Sequence, residues 1–169
     1  MRYLFLGPLA MTVVLFQVAA APYFPLMGAT ANPLLALLMC WAMVRGPREA
    51  MILIPLTAVF KDLITNDPVG VSVLAMLPIV PLAAVRERHP TQSEFVPTVA
   101  VVAVASLCYH LVYMVVLTSL GEDVPWLQSP VEVLLPAALL DAVLTPLFYL
   151  PLLLVTTVTE SRARLRVTG

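Results

Sequence analysis

The polar positions of this chain fall in short clusters. The apolar positions fall in six long runs, at about 3–22, 32–45, 50–65, 70–85, 95–119 and 130–158. A helix crosses the hydrocarbon of a bilayer with about 20 residues, and rarely with fewer than about 17. The first and fifth runs are that long, and the sixth is longer. The second, third and fourth hold only about 14–16 residues each, and would cross where the bilayer thins or flanking side chains reach the interface. The alternative for these three is a hairpin that never crosses, which strands polar loops in hydrocarbon without protein cover. The pattern therefore predicts six transmembrane helices. Arg2 precedes the run from Tyr3 to Tyr23 as in a secretory signal. That run has the length of a full span, so a retained first helix is expected.

Composition sharpens the picture. Of 169 residues, 61% are hydrophobic and 11% charged, where a soluble domain has about half and about a quarter. The mean hydropathy is +0.98. A compact soluble fold of this size could not hide so much apolar surface. That excludes a secreted globular domain, an ordinary cytosolic enzyme and a disordered chain, and leaves an all-α integral membrane protein forming one domain over 1–169. The chain has sixteen prolines, a high share for its length. Pro33, Pro47, Pro68, Pro97 and Pro130 mark helix starts or ends. Pro55, Pro78, Pro136, Pro146 and Pro151 fall inside runs, where each removes a backbone hydrogen bond and bends the helix. Such helices must pack together so that neighbours satisfy the freed groups. The sixth run is too long to stand straight and is expected to be kinked, tilted or broken at its outer end.

Charge sets the orientation. Arg2, Arg45, Arg48, Arg86, Arg88, Arg162, Arg164 and Arg166 all fall on one side of a six-span path. The opposite loops, 23–31, 66–69 and 120–129, hold no Lys or Arg but do hold Asp67, Glu122 and Asp123. Basic loops stay in the cytoplasm, so both ends are expected there. A net charge of −1 leaves no basic stripe for nucleic acid.

Few ionisable groups interrupt the runs, and each costs roughly 2.5–3.5 kcal/mol at a helix centre. Lys61 and Asp62 lie near the outer end of the third run, Asp141 inside the sixth, and His110 and Tyr113 in the outer half of the fifth. Neighbouring helical residues point about 100° apart. Lys61 and Asp62 are therefore not expected to face one partner together; one reaches the outer interface while the other turns inward. A Lys61–Asp141 or a His110–Asp62 pair stays open across helices. Interhelical bonding in a bundle that hydrocarbon does not drive together is the favoured role; a substrate or proton site is the alternative. Cys40 and Cys108 read as small buried hydrophobes, without metal spacing or a disulfide framework. No nucleophile elbow, zinc-protease helix, phosphate loop or dinucleotide glycine pattern is present. The chain is expected to be no enzyme, with no cofactor and no metal.

One stretch has a recognisable order. Asn32-Pro33-Leu34-Leu35-Ala36-Leu37-Leu38 leads into Ala42-Met43-Val44-Arg45-Gly46-Pro47-Arg48-Glu49-Ala50, then Phe60-Lys61-Asp62-Leu63-Ile64, then Asn66-Asp67-Pro68-Val69-Gly70-Val71-Ser72-Val73-Leu74-Ala75. This resembles the MreD family of the bacterial rod-shape machinery, as does Asp141 ahead of Pro146 in the last helix. The chain departs from the family at Ala50, where glycine is usual, and at Lys61, where an apolar residue is usual. The resemblance implies a non-enzymatic scaffold in the inner membrane that binds an MreC-type bitopic partner. Through that partner it would connect to the actin-like MreB and to a RodA-type glycosyltransferase with its transpeptidase. It also implies a fold similar to the six-helix substrate-capture subunits of energy-coupling-factor transporters. The alternative is accordingly a substrate-binding subunit for a vitamin, a lipid or a lipid-linked precursor. Arg45, Gly46, Pro47, Arg48 and Glu49 form the turn expected to meet a partner or anionic lipids: Gly46 lets the backbone reverse, Pro47 suits a first helical turn, and Glu49 suits a helix start. Trp126, in the outer loop, is expected as an interfacial anchor or partner contact.

Overall fold

The computed structural model describes residues 3–20, 31–65, 67–88, 95–122 and 134–167. Seven helices follow in order: α1 (Tyr3–Ala20), α2 (Pro33–Arg45), α3 (Pro47–Thr65), α4 (Val71–Met76), α5 (Ile79–Arg88), α6 (Phe95–Ser119) and α7 (Leu135–Val167). No strand occurs among the described residues. Proline and glycine explain most boundaries. Pro33 stands at the start of α2 and Pro47 at the start of α3, where a missing N–H costs nothing. Between these two helices Gly46 takes φ +96°, a conformation that other residues resist.

Helices α4 and α5 are separated by the Leu77–Pro78 turn, so they form one interrupted rod. The fourth run is thus two short helices rather than one bent one, because Pro78 has no N–H to continue the first. Pro136 also departs from expectation. It sits in the first turn of α7 rather than inside it, while Pro146 and Pro151 are interior. The long sixth run is not broken within the described residues: α7 is a single helix that carries on through Arg162, Arg164 and Arg166.

The contacts fix the helix directions. Asn32 meets Asp141, and Cys40 meets the Thr145 carbonyl, so α2 and α7 run the same way. Ser106 meets Asp141 and the Phe95 ring meets Tyr149, so α6 runs against both. Tyr109 lies beside both Asn32, at the start of α2, and Lys61, near the end of α3, so α3 runs against α2 and therefore with α6. One end of the bundle carries the Arg45–Arg48 turn. The other carries the 67–72 turn and Gly121.

Helix α2 is the centre. Ten of its thirteen residues are buried, and α1, α3, α5, α6 and α7 all pack on it. The outer surface is apolar. Helix α7 exposes Leu135, Leu139, Val143, Leu147, Leu150 and Leu154, a stripe with helical period. The buried set, by contrast, includes Asn32, Thr57, Lys61, Asp62, Ser72, Thr98, Ser106, Asp141 and Thr145. A water-soluble protein distributes these types the other way. Two segments, Phe95–Ser119 and Leu135–Val155, are long and apolar enough to cross a membrane.

Candidate functional site

The start of α2 is held entirely by side chains. A helix leaves its first amides without intrahelical acceptors, and those of α2 lie inside the bundle. Asn32 donates its own N–H to Asp141 Oδ1 at 2.6 Å, and its Oδ1 accepts from Leu35 N at 3.1 Å. Gln17 of α1 supplies Oε1 to Leu34 N at 3.2 Å. Pro33 has no N–H to satisfy. The second oxygen of Asp141 accepts from Ser106 Oγ of α6 at 2.5 Å. Three helices are thereby tied to one carboxylate, whose charge also suits the positive end of α2.

A second junction lies at the turn between α3 and α4. Asp62 Oδ2 accepts from Gly70 N at 2.8 Å and from Ser72 N at 3.3 Å. Lys61 Nζ donates to Ser72 Oγ at 2.8 Å and to Tyr109 OH at 3.3 Å. It also lies 3.8 Å from Asp67 Oδ2 and 5.6 Å from the centre of the Tyr113 ring, a cation–π position. Thr65 Oγ1 donates to Asp67 as well. Asp62 Oδ1 is buried and accepts no hydrogen bond.

This corrects the expectation for Lys61 and Asp62. Both are buried, so neither turns outward from the bundle, and they converge on one residue, Ser72. Their first bonds do point apart, but the chain returns by 67–70 and places Ser72 between them, and the long lysine stem covers the remaining distance. Neither of the two open cross-helix pairs is the arrangement found. Lys61 faces Asp67, and Asp141 faces Asn32 and Ser106.

Tyr109 links the junctions. Its hydroxyl accepts from Lys61 and lies beside the side chains of Ser72 and Asn32. Its ring stacks on Tyr113 at 5.8 Å and meets the edge of His110 at 5.2 Å. His110 Nδ1 is 2.8 Å from the Ser106 carbonyl. A carbonyl only accepts, so Nδ1 carries the proton. Ser106 therefore directs its hydroxyl proton at Asp141 and not at the imidazole, and the trio Asp141–Ser106–His110 is not arranged to activate a serine nucleophile. Among the described residues no group of three His, Cys, Asp or Glu side chains is placed to hold a metal.

At the opposite end, the Arg45 guanidinium lies 5.8 Å from the centre of the Trp41 ring, one turn earlier on α2. Arg48 is exposed, Gly46, Pro47 and Glu49 are half-buried, and Ala50 is buried. This group stands about 20 Å of helix away from Asn32, so the two sets of expected residues form two sites. Trp126 and Asp123 lie outside the described residues, as does the segment 23–30 of the first outer loop. Cys40 is buried and Cys108 half-buried.

Sequence reasoning did not single out Ser72, Ser106, Gln17 or Asp67 as cluster members. A small hydroxyl within an apolar run carries little signal by itself. Asn32 directly before Pro33 is a helix-start signature, and together with Lys61, Asp62 and Asp141 it is the legible part of the cluster. Comparison of the chain with protein-family models, with curated proteins and with solved structures finds no match.

Proposed function

We propose that this chain is an MreD-type scaffold: a six-span protein of the bacterial inner membrane, both ends cytoplasmic, with no catalytic activity. Its direct partner is an MreC-type bitopic protein, and through it the chain connects MreB filaments to a RodA-type glycosyltransferase and its transpeptidase. One observation carries this reading. Most of the buried polar side chains bond one another or nearby backbone groups, and these bonds link α1, α2, α3, α4, α6 and α7, while the outer surface offers apolar side chains. Such a bundle is built to hold its shape and present a surface to other membrane components. The alternating helix directions support the six-span path, since they put the Arg45–Arg48 turn at one end and Asp67 and Glu122 at the other. The arginines at the first end would meet anionic headgroups at about 1 kcal/mol each.

Co-purification in detergent with the MreC-type protein of the same cell, followed by size-exclusion chromatography with light scattering, tests the reading. A single peak containing both chains is expected. Separate elution of the two proteins overturns it.

A second reading, substrate capture, has one observation in its favour: Asp62 Oδ1 is a buried acceptor without a donor, and a ligand hydroxyl or amine would satisfy it. A ligand that binds the folded chain raises its melting temperature. A screen of vitamins and lipid-linked sugars against the isolated protein separates this reading from the first.

A further inference from the structure

The apolar exterior has a hollow at the end away from Arg45. A groove of about 390 Å³ runs between α4 and the last turns of α6, lined by Gly70, Val71, Val73, Leu74, Val116 and Leu120. One wall is the stretch 68–74, and the buried cluster fixes that wall from behind. Asp62 holds the amides of Gly70 and Ser72, and Lys61 holds the Ser72 hydroxyl. The other wall is α6, which closes at Leu120 with amide bonds to the Val116 and Leu117 carbonyls. Gly70 lets another backbone come close at the head of the channel, and a helix ridge fits between its Val and Leu side chains.

The charge at the rim names the kind of helix. Glu122 is exposed beside the groove, and Asp67 is half-buried at the head of the wall. Asp67 faces Lys61, but among the described residues at this end one positive group, Lys61, stands against three negative ones, Asp62, Asp67 and Glu122, and of these four Glu122 is the exposed one. We infer that the groove seats one transmembrane helix of a partner protein that carries a lysine or arginine immediately beyond its apolar stretch, and that Asp62 is a positioning residue that shapes the groove for it. The inference rests on the scaffold reading and adds the place and the charge of the contact.

The test uses the full chain co-expressed with the MreC-type protein and purified in detergent. Val116→Trp and Leu74→Trp fill the groove, and each should reduce retained partner at least tenfold. Leu147→Trp, on the exposed α7 stripe, should change it less than twofold. Glu122→Lys should weaken retention at least threefold, and a glutamate in place of the partner's basic flank should restore it. Asp62→Ala should lower retention and speed amide exchange at Gly70 and Ser72, with elution still monodisperse. Cysteine cross-linking provides a measure that does not depend on bulky substitutions: Val116→Cys should join to cysteines in the outer turns of the partner helix, and Leu147→Cys should not. Full retention by both tryptophan variants, with no cross-link from Val116→Cys, overturns the groove and leaves the scaffold standing. If the unaltered chain retains no partner, both fall. A homodimer broken by Val116→Trp, or a lipid displaced by it in native mass spectrometry, also overturns the inference, because the occupant is then a second copy or a lipid.

Discussion

Asp141 and Asp62 are both fully buried carboxylates, yet they are used differently. Asp141 employs both oxygens, on Asn32 N and Ser106 Oγ, and its partners lie 109 and 35 residues away. Asp62 employs one oxygen, on two amides only 8 and 10 residues away, and leaves the other without a donor. The first joins three helices, so its loss reaches the whole bundle. The second clamps one turn, so its loss stays local. Burial alone does not reveal how far a buried charge acts; the sequence separation of its partners does.

The largest expected effect breaks the Asp141 junction. Asp141→Leu orphans the Asn32 amide and the Ser106 hydroxyl, each at about 1–3 kcal/mol. The protein should lose about 2–6 kcal/mol, read as a lower midpoint for loss of helicity in detergent. Asp62→Leu also frees two amides, but Gly70 is half-buried and water can reach its N–H, so only the buried Ser72 amide is orphaned and the substitution should cost less, about 1–3 kcal/mol. It should also leave a different trace: faster hydrogen exchange at Gly70 and Ser72, with the α2 amides unchanged. Equal exchange over both regions would erase the distinction between them.

Smaller still is Gly70→Ala. Gly70 has φ +103°, and an added Cβ would meet nothing within 4 Å. The cost is therefore conformational, about 1–2 kcal/mol, and Gly70→Asn should cost less than Gly70→Ala because asparagine tolerates this region. A cost that followed side-chain volume instead would point to crowding. The smallest effect belongs to the other end. Arg45 is half-buried over the buried Trp41 ring, so Arg45→Ala should cost about 1 kcal/mol, and the melting midpoint should move less than for Gly70→Ala.

Much of the fold could be read from the chain. The fifth run, 95–119, coincides with α6, and the second begins one residue before α2, because Asn32-Pro33 and Gly46-Pro47 punctuate it chemically. The third run was placed from 50, whereas α3 starts at Pro47: the polar Arg48 and Glu49 hid its first turn. The reach of α7 through its arginines was missed for the same reason, since arginine ends an apolar run without ending a helix. In the site, Lys61, Asp62, His110, Tyr113 and Asp141 stood out as polar groups in apolar surroundings. Their partners did not, because Asn32 and Asp141 are 109 residues apart and one helix's periodicity says nothing about another's position. The Lys61 and Asp62 expectation failed at the same point: it used helix geometry and lacked the return of the chain by 67–70.

The sealing of the α2 start also sets an order in time. Asn32 leaves the ribosome long before Asp141 exists, and at about 5–20 residues per second the delay is roughly 5–20 s. During that interval α2 has no carboxylate for its first amide, and its thirteen residues are too few for a comfortable crossing. Helix α2 is made second and secured last. A nascent chain halted before Asp141 should therefore hold α2 loosely, exposed to quality-control proteases, and synthesis of the final helix is the step that commits the bundle.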